Sequence, residues 1–323
     1  MKTLKFFSHI FVSIARWFDT GIGYREEALF QREGEVSGVD WVRCIPFLFM
    51  HGACLAVFWA GWSNVAVWTA VALYAVRMFA ITGFYHRYFS HRTFRTSRVA
   101  QFLFAVLGAS SVQRGPLWWA GHHRHHHLHS DQPEDLHSPR LYGFWWSHMG
   151  WITSRKNFAT RFDRVPDLAK YPELVFLNRF DIVIPVLLAV SLFLSGWGLG
   201  HFYPQLGTSG FQMLVWGFFI STVVLFHATC TINSLSHVVG RQRFQTNDDS
   251  RNNFFLALLA FGEGWHNNHH HYHAATRQGI YWWELDLTYY VLKTLSWLGI
   301  VWDLSPVPDH VYEKVNRQKK LAK

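Results

Sequence analysis

The stretch Val65–His91, VAVWTAVALYAVRMFAITGFYHRYFSH, decides the architecture. Val65 to Tyr85 is apolar and long enough to cross a bilayer. Its single cation, Arg77, stands where the long side chain can snorkel toward one face. At the end of this span the chain presents His86 and His91 within six residues. A span that opens onto imidazoles raises two questions: whether other spans exist, and whether other histidines gather at their ends.

Three further stretches can cross. Ile45 to Trp62 has no charged residue, and Ile182 to Gly200 and Phe211 to Val238 are equally apolar. No acid, lysine or arginine occurs anywhere from Ile182 to Gly240, which a water-soluble domain does not explain. A helix over Phe211–Val238 exceeds the roughly 30 Å hydrocarbon core, so its end is expected to project into water. Val99–Gln113, Phe254–Phe261 and residues 286–302 are too short to cross and read as interfacial or cap helices. The expected fold is an all-α integral membrane protein with four transmembrane helices and a cytosolic helical cap. Its parts are an N-terminal segment over 1–40 with an interfacial helix, a four-span domain with its cap over 41–305, and a basic tail over 306–323.

Charge sets the expected orientation. The chain has 323 residues with 30 Lys and Arg against 21 Asp and Glu, a net charge of +9. The connections Trp62–Asn64 and 201–210 carry none of the cations, whereas the N-terminal segment and residues 86–181 and 241–323 carry nearly all. The positive-inside rule then puts both termini and both large polar segments in the cytoplasm. Because the basic balance is topological, nucleic acid is not an expected partner. Cys44, Cys54 and Cys230 are too few for a disulfide framework. The N-terminal MKTLKFFSHIFVSIARWF is interrupted by His9 and Arg16 and does not read as a cleavable signal.

The histidines recur in clusters. GHHRHHHLHS covers residues 121–130, and GEGWHNNHHHYH carries His266, His269, His270, His271 and His273. NSLSH, at the end of the fourth span, places Asn233 and His237 one helical turn apart. HxxHH spacing puts three imidazoles on one helical face, so they can converge. In the second cluster it fits both His123, His126, His127 and His122, His125, His126. His86 and His91 stand about 140° apart on a regular helix, which suits different metals or a bent segment. Burying so many imidazoles without a metal leaves them desolvated and poorly satisfied. Eight or nine nitrogens are too many for one first-row ion, so two are expected. Isolated histidines such as His9, His51, His201 and His310 read as structural, and His51 and His227 as lining a cavity or hydrogen-bonding locally.

HRYFSH, HHRHHH and GEGWHNNHH, in this order around four apolar spans, resemble the membrane fatty-acyl desaturases of the stearoyl-CoA desaturase type, in their bacterial form. The resemblance covers about residues 40–305 and implies a bacterial inner membrane as the expected home. It implies a di-iron centre of two Fe2+ ions and O2-dependent insertion of a cis double bond. It implies nine ligands: His86, His91, His123, His126, His127, His237, His266, His269 and His270. Asn233 matches an Asn that reaches one iron through water. The match in the second box, continued by Ser130, Asp135 and His137, is what selects His123, His126 and His127. Glu134, Asp135, Asp248, Asp249 and Glu263 are candidate acceptors for the ligand rings.

The resemblance also bears on substrate and donor. Arg155 and Lys156 match a pair that contacts the phosphates of CoA, and Trp119 and Trp151 are candidates to flank the acyl chain. Animal members carry Arg-Asp before the second box, whereas this chain has Gly121-His122, which keeps phospholipid acyl chains open beside acyl-CoA. The tail after Pro308 has no CxxC pair or haem-binding module. Electrons are therefore expected from a separate ferredoxin, rubredoxin or cytochrome b5-like carrier with its reductase. The rivals are a hydroxylase or alkene-forming oxidase on the same scaffold, and a His-rich metal transporter. A transporter places its ligands near mid-bilayer, but here the clusters flank the spans.

Overall fold

The computed structural model describes residues 10–22 and 38–312. The main helices, in chain order, are α1 (Trp41–Ala60), α2 (Asn64–Ser90), α3 (Arg98–Ala109), α4 (Pro116–His129), α5 (Pro172–Arg179), α6 (Val183–Phe202), α7 (Gly210–His237), α8 (Phe254–Leu259), α9 (His266–His271) and α10 (Leu287–Trp297). Of these, α1, α2, α6 and α7 are long and apolar enough to cross a membrane. The described strands are β1 (Arg95–Thr96) and β2 (Val301–Trp302), paired antiparallel.

Polar caps start these helices. Asp40 accepts from the Arg43 amide at α1, Ser63 from Ala66 at α2, Ser209 from Gln212 at α7 and Asp286 from Tyr289 at α10. Each cap satisfies an amide that the first helical turn leaves unpaired. Residues 286–302 do not form the single helix their apolar pattern predicts. α10 ends at Trp297, Gly299 turns the chain at φ 70°, and Val301–Trp302 become β2. Such a φ favours glycine, which has no Cβ to clash. The expected N-terminal interfacial helix is helical over 10–15, and residues 1–9 and 23–37 lie outside the described residues. So do residues 313–323 of the tail.

The chain divides into two compact units. The first takes the chain up to Ala80, Ala105–His122 and Gly150–His227. Ala66, Leu192, Met213 and Phe218 form a core there, on α2, α6 and α7. Phe58, Trp59, Trp68, Leu187 and Trp197 are exposed, as side chains facing lipid must be. Arg77 does not snorkel. It is buried, donating to Thr222 Oγ1 (2.7 Å), Ser221 Oγ (2.6 Å), Ser110 O (3.3 Å) and Leu73 O (3.2 Å), so neutral protein oxygens replace water. His51 donates through Nδ1 to Phe47 O (2.8 Å) and sets Nε2 3.1 Å from His227 Nε2.

The second unit takes Ile81–Phe104, His123–Met149 and the chain from Ala228 onward. Its apolar packing includes Phe84 stacked on Phe104 at 3.7 Å and a core of Phe244, Ile280 and Val311. α2 changes character inside this unit. From Ala80 to Ser90 it is π-helical, a wider winding with one extra residue per bonded turn.

Candidate metal centre

All nine expected histidine ligands belong to the second unit, where they form two groups. The first holds His86, His91, His123, His127 and His269; the second holds His126, His237, His266 and His270. Within each group one nitrogen per ring lies within 4.8 Å of all the others.

Backbone geometry explains who goes where. The His91 amide bonds to His86 O at 3.2 Å, an i to i+5 bond, so the π-turn lays the two residues over one another. The 140° separation of a regular helix therefore does not arise, and both rings join the first group. At 100° per residue, positions i and i+4 of HxxHH differ by about 40°, while i+3 stands about 100° from i+4. In α4, His123 and His127 enter the first group and His126 the second. In α9, His266 and His270 enter the second and His269 the first. Each HxxHH thus sends an i, i+4 pair to one group and its middle ring to the other. The sequence reading that three such rings converge on one point misses this exchange. His122 belongs to the first unit, with Nδ1 bonded to Trp118 O at 2.9 Å, and His125 Nε2 is 2.9 Å from Glu134 O.

Spacing tests whether a metal fits. Two nitrogens bound at right angles, each ~2.1 Å from one first-row ion, stand about 3.0 Å apart. The first group has Nε2 separations of 3.0 Å for His86–His269, 2.9 Å for His91–His123, 3.0 Å for His123–His127 and 3.0 Å for His127–His269. The second has 3.1 Å for His237–His266. His270 Nε2 is buried and has no hydrogen-bond partner. Nitrogens crowded at ligand spacing, one with its lone pair unused, suit first-row ions of the kind imidazole prefers.

Carboxylates fix the tautomers. Nδ1 donates from His86 to Glu263 (2.6 Å), from His126 to Asp135 (3.1 Å), from His237 to Asp131 (2.9 Å) and from His270 to Asp248 (2.7 Å). A proton held on Nδ1 leaves the Nε2 lone pair free to bind metal. Three of the five candidate acids act this way. Glu134 meets His125 through its backbone carbonyl, and Asp249 lies 3.7 Å from Arg140 and gives its amide to Asp131. Asp131 was missed. It sits just past α4 at φ 57° and also accepts from Ser138 Oγ. Its one signal in the sequence is that it is the first acid after the second box.

Burial, reinforced by neighbouring imidazoles, pushes His91, His123, His127, His266 and His269 well below the usual histidine range. Burial lowers His270 to about 4 even against Asp248. These rings are neutral at pH 7, the form that ligates metal. Burial opposes ionisation of Asp131, but the His237 hydrogen bond holds it at about 2. Burial also disfavours charge on His126, yet Asp135 outweighs it and raises the ring. Arg87 completes the surroundings, donating to Glu263 (3.1 Å), Asp286 (3.1 Å) and Thr276 O (2.8 Å). Asn233 is half-buried one turn before His237, and its carbonyl accepts from Ser147 Oγ at 2.8 Å.

The expected substrate contacts belong to the first unit. Trp151 stacks at 5.6 Å on Trp118, and Trp119 is half-buried. Arg155 Nε is 4.0 Å from Asp40. Burial, then the Arg161 charge, lowers the Lys156 ammonium pKa. At Gly121 an added Cβ meets Arg161 O at 2.9 Å, so this position admits no side chain without a shift.

Four apolar helices and two histidine groups that could hold metal are the marks of a membrane protein with a candidate metal centre. Residues 60–296 match the fatty acid desaturase family. The chain is 38% identical to an acyl-CoA 5-desaturase of Anemone leveillei, covering 82% of this chain and 79% of that one. It is 38% identical to the chloroplastic palmitoyl-monogalactosyldiacylglycerol delta-7 desaturase of Arabidopsis thaliana, over 87% and 72%. With the sn-1 stearoyl-lipid 9-desaturase of Anabaena variabilis it shares 36% identity, over 81% and 92%. The chain belongs to the fatty acid desaturase family and is an oxidoreductase that desaturates fatty-acyl chains.

Proposed function

We propose that the two histidine groups hold two Fe2+ ions. One binds His86, His91, His123, His127 and His269; the other binds His126, His237, His266 and His270, with Asn233 reaching an ion through water. The observation that carries this is the run of Nε2 separations between 2.9 and 3.1 Å, backed by four carboxylates on Nδ1. Bound there, iron with O2 supplies the oxidation that removes two hydrogens from an unactivated acyl chain and leaves a cis double bond. The carboxylates keep each ring oriented, and burial keeps the rings neutral and bulk water away.

The substrate is a saturated acyl chain, with acyl-CoA the favoured carrier. Arg155 and Lys156 supply a phosphate-binding pair, with Arg161 adding positive charge. Trp151, stacked on Trp118, and the neighbouring Trp119 give apolar surface for the chain. The alternative carrier is a membrane phospholipid, favoured by the tight Gly121 corner, where no second charged side chain fits. Electrons come from a separate ferredoxin, rubredoxin or cytochrome b5-like protein with its reductase. Both termini and the metal centre face the cytoplasm, a reading supported by the lysine and arginine distribution.

Expression in a host with mapped lipid double bonds tests this reading. The expected product is a new cis double bond at one chain position, with two irons per purified chain. A hydroxylated chain or a terminal alkene assigns the scaffold to a different oxidation. If His86→Ala loses metal uptake while unsaturation stays normal, the protein is a transporter.

A further inference from the structure

We propose that His273 is the capture ligand through which metal enters the first histidine group. The inference rests on the metal reading above and concerns how the group is filled. A site of buried ligands needs an entry path as well as a ligand set. The two groups differ in this respect. In the second, His126, His237 and His266 are buried. In the first, His91, His123 and His127 are only half-buried. His273 stands exposed beside that opening. Its ring lies 5.2 Å from the His91 ring and 5.3 Å from the His127 ring, yet it is not among the five whose nitrogens converge.

The chain around His273 is anchored on both sides. The Tyr272 amide bonds to Asn268 O at 3.0 Å, the Thr276 amide to Ser305 O at 2.8 Å, and Thr276 Oγ1 to Thr93 O at 2.8 Å. The backbone is therefore held where the His273 imidazole meets solvent on one side and two cage rings on the other. A hydrated divalent ion arriving there exchanges a water for a His273 nitrogen. That bond then breaks as His91 and His127 take the ion inward. Coordination bonds alone change; no electron moves and no covalent bond breaks. None of this requires His273 to remain bound once the group is filled.

Loading kinetics test the assignment. Full-length protein, prepared in detergent from iron-starved cells, is mixed anaerobically with Fe2+. Bound iron is then counted at set times after rapid gel filtration. His273→Leu should load its first iron about tenfold more slowly, the scale on which losing a metal-site partner is felt, and still reach the wild-type iron content. His273→Asp restores a ligand at the same place and should recover most of the rate. His310→Leu removes an exposed imidazole that neighbours no cage ring and should change nothing. Wild-type loading by His273→Leu overturns the proposal, as does equal slowing in His273→Asp. A lower final iron content in His273→Leu also overturns it, because His273 is then a resident ligand. A wild-type endpoint below two irons breaks the two-ion reading instead, and the loading rate still decides for or against His273.

Discussion

The two histidine groups share one kind of ligand and differ in how they are enclosed. Three of the four rings in the second group are pinned by a carboxylate: His126 by Asp135, His237 by Asp131 and His270 by Asp248. In the first group that role falls to Glu263 on His86, and three of the five rings are half-buried. Ligand number alone does not make a site rigid. A ring whose outer nitrogen is held by an anion keeps its direction when the metal leaves, whereas a ring held only by packing can turn. The second group should thus be the preorganised, slowly exchanging site and the first the accessible one.

The most damaging way to test that contrast is to remove a ligand from either side. His269→Ala and His266→Ala should each cut double-bond formation by about a hundredfold or more. Iron counting should show one iron lost in each, the first from the more open group and the second from the more enclosed one. Equal loss of both irons in both variants would mean that the groups fill as a single unit.

Changing the anions is gentler. Asp131→Asn keeps the shape at His237 but removes the charge, and should weaken one of the two irons by roughly 10- to 100-fold in chelator competition. Glu263→Gln should weaken the other iron by less, since four of its five rings do not depend on that carboxylate. The reverse ranking breaks the comparison.

Acid provides a graded version in the metal-free protein. His91, His123, His127, His266 and His269 have folded pKa values well below the unfolded 6.5. As pH falls below 6.5 the unfolded chain takes up protons that the folded one refuses, so the stability of the fold declines. Thermal unfolding of apo protein should drop steadily from pH 7 to pH 5, and bound iron should blunt the drop by keeping the rings deprotonated. A flat profile for the apo protein would show that the rings are not buried as described.

The smallest effect belongs to the first unit. Replacing Arg155 and Lys156 together with alanine should raise KM for an acyl-CoA about tenfold, the cost of losing charge-assisted phosphate contacts. Turnover of phospholipid acyl chains should not change. Equal impairment of both substrates would remove the pair from head-group recognition.

Much of this arrangement is legible in the sequence because membrane spans and histidine boxes are local signals. Span positions follow from uninterrupted apolar runs, and the observed ends differ by only a few residues. What escapes is whatever depends on winding or on contacts remote in sequence. The sharing of rings between α4 and α9 follows from helical phase only once both helices are in place. The pairing of His86 with His91 needs a π-turn, for which a five-residue spacing is no unique sign. Asp131 meets His237 across 106 positions of chain, a contact no local pattern announces. The burial of Arg77 escaped for the same reason, since its hydroxyl partners stand on another helix.

The wide winding of Ala80–Ser90 has a consequence for how this chain can change. It amounts to an insertion absorbed without a loop, and it keeps both histidines of the first box aimed at one point. Excising a single residue such as Tyr88 would let the segment relax into an ordinary helix with the two histidines at i and i+4, still about 40° apart. Point substitutions there can be judged one side chain at a time. A one-residue deletion cannot, because it changes the winding of the whole segment while leaving the two imidazoles on one face.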